Sequence, residues 1–222
     1  MPLPQSQRAD DLSTPASSEE SAALRRVQLR RKALLAVVLV LFVGAAAVIR
    51  PLAEETILHA LLVGVGQFAI FAAIVGRGWC SLYIGGRKTH EIVRRGPYSV
   101  SRNPLYVFSF LAAFGVGAQT GSLILALGAL ALTFVVMQAT VLREEAFLCG
   151  VFGTDYEGYR ATTPRYWPRW SLWRDDRTLE IDPCRFVTTI LDGAIMLAAI
   201  PLLAALSGAR FEGLIPTLLT LP

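Results

Sequence analysis

The chain holds only two histidines, His59 and His90, and three cysteines, Cys80, Cys149 and Cys184. The cysteines are far apart and odd in number, with neither metal spacing nor a disulfide framework. With imidazole and thiolate so scarce, the usual zinc and iron sites are excluded, and no metal site is expected. Charged residues make up 17% of the chain, and no basic face alternates with aromatics. That argues against a nucleic-acid groove. No Gly-x-Gly-x-x-Gly turn follows a strand pattern, so the usual dinucleotide-type fold is absent as well.

What is present instead is apolar length. Mean hydropathy is +0.50 and 54% of the residues are hydrophobic, the composition of a membrane protein. Residues 1–23 carry Pro, Ser, Gln and acids without apolar period and read as a disordered tail. No apolar core follows closely enough to make that tail a signal peptide. Arg25, Arg26, Arg30, Arg31 and Lys32 then form a basic turn suited to an anionic membrane surface.

Five apolar segments follow, Ala33–Ile49, Thr56–Gly76, Leu105–Ala118, Ser122–Leu142 and Phe186–Leu206. They predict an all-α, polytopic fold with about five transmembrane helices. A membrane domain would cover 24–212, and a short interfacial tail 213–222. Gly76, Gly78, Gly85 and Gly86 are expected to break the helix before a first polar loop. Gln119-Thr120-Gly121 closes a hairpin between the third and fourth segments. With the N-terminus in the cytoplasm, every Lys and Arg except Arg50 and Arg210 falls on the inner side. By the positive-inside rule both polar blocks, 77–103 and 143–185, are then cytoplasmic.

Polar, sequence-complex loops between short apolar helices are costly at a membrane unless they line a site. In the first block Pro97 and Pro104 fix turns and Gly96 permits close approach. Pro104 sits where a helix starts, and the N–H groups of that first turn suit an anion. Arg102 supplies a fixed charge, and Tyr98 and Tyr106 supply rings and hydroxyls. Read alone, this is equally a proline-kinked interfacial loop with anchoring Tyr and Arg. In the second block Arg143-Glu144-Glu145 ends a membrane helix. Adjacent acids there diverge by about 100° and do not share a face. One carboxylate is free to accept from a ribose, an amine or a guanidinium, and the other to pair with Arg102 or Arg143. Leu148, Phe152, Tyr156 and Tyr159 form one helical stripe, which is also what plain amphipathic packing looks like.

His90-Glu91-Ile92-Val93-Arg94-Arg95-Gly96-Pro97-Tyr98, then Arg102-Asn103-Pro104-Leu105-Tyr106, resembles the isoprenylcysteine carboxyl methyltransferase family. So does Glu144-Glu145, Leu148, Phe152-Gly153, Tyr156, Tyr159 and Pro164, in order and across a hairpin of suitable length. The same superfamily holds the phospholipid N-methyltransferases and, more distantly, membrane sterol-type reductases. The resemblance covers 90–164. It implies an integral membrane methyltransferase using S-adenosyl-L-methionine in a cytosolic-side pocket, with a lipid-facing path for a lipophilic acceptor. Carried over by position, donor contacts come from His90, Glu91, Ile92, Val93, Tyr98, Asn103, Pro104, Leu105, Tyr106 and Glu144. Two positions depart from the pattern: Asn103 stands where the family often has His, and Thr140 where its eukaryotic members have an acceptor-contacting Arg.

The catalytic candidates are Arg102 or Arg143, to orient an anionic acceptor, and Glu145, to take a proton from an amine acceptor. A carboxylate acceptor is already ionised and needs no base. A phospholipid N-methyltransferase, a reductase relative and a non-catalytic membrane scaffold are the competing readings. A bacterial inner membrane with cytoplasmic active-site loops is the expected location, and no nucleic-acid partner is expected.

Overall fold

The computed structural model describes residues 37, 40–51, 56–85 and 91–221. The chain divides into two compact units, Met1–Val43 and Gly44–Pro222, and the elements below belong to the second. The expected tail, the basic turn, residues 33–36, 38 and 39 of the first apolar segment, and His90 lie outside the described residues. Residues 40–48 are helical.

Three helical stretches are long and apolar enough to cross a membrane: Ile57–Ile84, Leu123–Phe152 and Pro183–Phe211. The first is α1. The hairpin is α3 (Pro104–Ala118) and α4 (Leu123–Phe152), of 15 and 30 residues. The last consists of α6 (Pro183–Ala194), a 3-10 turn (Ile195–Ala198) and α7 (Ala199–Phe211). Pro201 cannot donate to the carbonyl four residues before it, Leu197, and the tightened turn lies there. Between these sit α2 (Pro97–Val100) and α5 (Thr154–Thr162).

The glycine reading needs correction. Gly76 and Gly78 do not break the helix; α1 continues to Ile84, and only Gly85 ends it, donating to Ser81 O at 2.9 Å. In lipid no water competes for the backbone, so glycine continues a helix and lets its neighbours approach. A Cβ on Gly66 would lie 2.9 Å from Gly115 O, and one on Gly115 2.7 Å from Gly66 O, so α1 and α3 touch backbone to backbone. Gly76 is covered by the Phe108 ring and Gly78 by Ile190 of α6.

The hairpin forms as the sequence predicts. Thr120 Oγ1 donates to Gly117 O at 2.7 Å, and Gln119 Nε2 reaches across to Val63 O of α1 at 3.2 Å. The Ser122 side chain caps α4 by accepting from Leu125 N. Along α4, Leu127, Leu132, Val135 and Leu142 are exposed, an outward apolar surface suited to acyl chains.

The C-terminal tail carries a short strand that the sequence reading did not foresee. Leu219–Leu221 (β2) pairs in parallel with Ile49–Pro51 (β1), with Ile49 opposite Leu219. Arg210, buried, donates to Ala46 O at 3.0 Å and to Ile49 O. A two-strand bridge thus joins the start and the end of the described fold.

Candidate active site

The first block is a tight turn held from two sides. Gly96 has φ 53 and ψ −133, a conformation that side chains rarely adopt, and a Cβ there would lie 2.3 Å from the Tyr83 ring. Pro97 opens α2, and Ser99 Oγ donates back to Gly96 O at 2.6 Å. Pro104 begins α3 as expected. The first-turn N–H groups of Tyr106 and Val107 are directed at Asn103 O, at 3.1 and 3.3 Å, rather than into the loop.

A neighbouring run then laces onto this turn. Arg102 N donates to Pro164 O (2.9 Å), Asn103 N to Arg165 O (3.2 Å), Arg169 N to Val100 O (2.9 Å) and Gly96 N to Arg174 O (2.8 Å). Tyr83 OH donates to Asp175 (2.8 Å), and Trp173 stacks on Trp79 of α1 with centroids 5.6 Å apart. The 164–175 segment is therefore the outer support of the first block.

The second block enters on the last turns of α4. Gly153, at φ 52, turns the chain into α5. There Tyr159 OH donates to Tyr98 O at 2.6 Å, and the Tyr156 and Tyr159 rings meet edge-on at 5.9 Å. Arg94 lies over Tyr159, 5.8 Å from its centroid.

Where the blocks meet is a cavity of about 200 Å³, lined by Ile84, Glu91, Ile92, Val93, Tyr98, Arg102, Asn103, Leu105, Tyr106, Glu144, Glu145, Leu148, Tyr156 and Tyr159. Of the residues singled out from sequence, Glu91, Ile92, Val93, Tyr98, Arg102, Asn103, Leu105, Tyr106, Glu144 and Glu145 come together on its wall. Pro104 is buried beside it as the first residue of α3. Arg143 is not brought there: its side chain is exposed on another face of α4. Both Glu144 and Glu145 reach the wall despite their angular divergence, with Glu144 half-buried and Glu145 buried. Leu148, Tyr156 and Tyr159, a stripe that plain packing would equally explain, line the wall as well.

Glu145 is the electrostatic centre. Its Oε1 accepts from Asn103 Nδ2 at 3.0 Å; its Oε2 accepts from Arg165 Nη2 at 2.8 Å and Nε at 3.1 Å. Arg102 Nη2 lies 3.5 Å from Oε1, and the Arg102 and Glu145 side chains are 7% and 6% exposed. Burying such ions is tolerated only when the charges are matched and hydrogen-bonded, as these are. Arg165 is the partner that sequence reasoning missed. It lies past Pro164 in a polar run, and no spacing rule links it to α4. Its hydrogen bond to Glu145 raises its pKa further.

The tyrosines are pushed the other way from reactive phenolates. Burial raises Tyr98 well above its usual range and moves Tyr156 to about 12; Tyr159 is raised too, again by burial. All three are neutral donors at physiological pH. Tyr98 OH is buried without a hydrogen-bond partner among the described residues. Arg77, within α1, donates to Ser109 Oγ at 2.5 Å, and its buried Nε also lacks a partner among the described residues. A buried donor left unmet costs about 1–3 kcal/mol, so both positions suit an external acceptor.

Comparison with known proteins follows this geometry. The phospholipid methyltransferase family description matches residues 54–155. Over 169 residues the chain is 38% identical to the nickel-cobalt-cadmium resistance protein NccN of Alcaligenes xylosoxydans xylosoxydans, covering 76% of this chain and 79% of that one. It is 40% identical over 140 residues to the cobalt-zinc-cadmium resistance protein CzcN of Cupriavidus metallidurans, covering 63% and 64%. It is 30% identical over 102 residues to the protein-S-isoprenylcysteine O-methyltransferase of Schizosaccharomyces pombe, covering 45% and 43%. No solved structure matches the chain. With its two motif blocks joined at one cavity beside membrane-length helices, the chain belongs to the phospholipid and isoprenylcysteine methyltransferase family of membrane proteins.

Proposed function

We propose that this chain transfers a methyl group from S-adenosyl-L-methionine to a lipophilic acceptor at the cytoplasmic face of a bacterial inner membrane. The observation that carries this reading is the joining of the two blocks at Asn103–Glu145, which closes a wall of tyrosines and carboxylates around one cavity. The residues present fit the donor. Tyr98 OH is an unmet donor on that wall, and the rings of Tyr98, Tyr106, Tyr156 and Tyr159 suit a sulfonium through cation–π attraction. Glu144 provides a carboxylate for hydroxyl groups of a ribose, with Glu91, Ile92, Val93, Asn103, Pro104 and Leu105 as the further wall; His90 is assigned by resemblance alone. When bound, S-adenosyl-L-methionine supplies a methyl group on a sulfonium leaving group. The protein's own contribution is to hold both reactants in line and keep water out.

Glu145 accepts from two partners and pairs with a third, so we assign it, with Arg102, to positioning rather than to proton removal. An acceptor that is already anionic at neutral pH suits such a site better than an amine. Arg143, which faces away, is not the cation that meets it. Two relatives are named for metal resistance. Among the described residues no group of three or more His, Cys, Asp or Glu side chains is placed to hold an ion. We therefore connect this chain to resistance through methylation of a membrane component. Titrating purified protein with S-adenosylhomocysteine tests the donor site: saturable binding is expected, and its absence overturns the reading. Labelled methyl transfer into whole membranes then separates a base-labile ester from a stable amine.

A further inference from the structure

The 164–182 run does more than support the first block. Trp167 is 86% exposed and Trp170 65% exposed, in a segment where Arg169, Arg174 and Arg177 are exposed as well. The acids among them are engaged: Asp175 accepts from Tyr83, and Asp176 pairs with Arg95. Residues 165–177 hold four arginines against two aspartates, so this stretch is aromatic and net cationic. Two bare indoles in water forgo the burial that such large rings usually achieve.

The depth of this surface is fixed by the stack of Trp173 on Trp79. Trp79 lies within α1, about 7.5 Å of helix rise before its end at Ile84. A ring packed at that level stands where a spanning helix passes from acyl chains to headgroups, and indoles favour that zone. Trp170 continues the array, 6.5 Å from Trp173. The exposed patch is thus continuous with the surface α1 presents to lipid.

We propose that residues 165–177 seat on the bilayer surface, with Trp167 and Trp170 inserted among the headgroups and Arg169, Arg174 and Arg177 paired with anionic lipid. Each such arginine near an anionic leaflet contributes about a fivefold gain in association. The same segment offers the carbonyls that hold Gly96 and Asn103, and the adjoining Pro164 offers the one that holds Arg102. Seating on anionic lipid therefore steadies the cavity wall. The inference rests on membrane embedding and not on methyl transfer, and its test needs no turnover.

The full chain is placed in vesicles of phosphatidylcholine, alone or mixed with phosphatidylglycerol, with brominated acyl chains, and tryptophan emission is read. Strong quenching is expected with phosphatidylglycerol, falling by about half in phosphatidylcholine alone or in high salt. Trp167→Phe/Trp170→Phe removes that lipid-dependent component. Arg169→Gln/Arg174→Gln/Arg177→Gln leaves quenching at the phosphatidylcholine level in both vesicles. Equal quenching of the unaltered protein in both lipids overturns the proposal. So does free access of iodide to Trp167 and Trp170 in both, which would mark a surface for a soluble partner. Restoration by soluble glycerol phosphate in phosphatidylcholine vesicles overturns it too, since that assigns a headgroup pocket rather than a bilayer surface.

Discussion

Asn103 Nδ2 donates to Glu145 Oε1 at 3.0 Å across 42 positions of sequence. It joins the start of α3 to the end of α4 at the point where this chain departs from the histidine common in its family. An imidazole N–H is also a donor, so Asn103→His is expected to keep both stability and S-adenosylhomocysteine binding. Asn103→Leu leaves a lone pair of Glu145 unmet and costs about 1–3 kcal/mol, read as a lower melting temperature in detergent.

Glu145 and Glu144 separate by readout. Glu145→Ala leaves Arg102 and Arg165 facing each other without their shared anion and destabilises by about 3–5 kcal/mol. Glu144→Ala, at a half-buried position, is expected to cost less stability than Glu145→Ala and to weaken S-adenosylhomocysteine binding. Equal loss of stability in both variants would refute this division.

Tyr98 gives an opposite pairing of effects. Its hydroxyl has no partner among the described residues, so Tyr98→Phe is expected to keep or raise the stability of the free protein. The same change removes a donor to the ligand and weakens binding by about three- to tenfold, the value of one hydrogen bond. Isothermal titration beside a melting curve checks both signs at once.

Alkali acts on the same ring cluster. Folded-state pKa values of Tyr98, Tyr156 and Tyr159 lie above their usual value near 10. The native state holds its phenolic protons longer than the unfolded chain. Their contribution is complete below about pH 10 and falls as pH rises toward the folded values, about 12 for Tyr156. Denaturation midpoints measured against pH should decline over that interval, and Tyr156→Phe should flatten the decline.

Gly96→Ala tests the turn itself. Its positive φ and the Tyr83 ring 2.3 Å from a built Cβ combine backbone strain with overpacking, each worth about 1–3 kcal/mol. Loss of the folded state, or rescue by adding Tyr83→Leu, is the expected pattern in a refolding assay.

How much of this was legible in the sequence differs by element. The Gln119–Gly121 hairpin and the start of α3 at Pro104 follow from local turn chemistry, which membranes do not change. The paired blocks were legible because their polar residues stand out against lipid-soluble flanks. The end of α1 was not, since a glycine-break rule drawn from water fails where glycine serves helix contact, as at Gly76 beneath Phe108. Arg165 was hidden for another reason: its link to Glu145 is purely tertiary. The pairing of Leu219–Leu221 with Ile49–Pro51 joins opposite ends of the described fold, beyond the reach of any local pattern.

The 30 residues of α4 make it about 45 Å long, against about 30 Å of hydrocarbon. Glu144 and Glu145 ride this rod about 32–33 Å beyond Leu123, just past one bilayer's thickness. The rod thus works as a gauge. In thinner bilayers it must lean, carrying its carboxylates sideways from Asn103, and in thicker ones they sink toward the acyl chains. Acyl-chain length in the host membrane thereby sets where these carboxylates stand, as surely as any side chain in the cavity does.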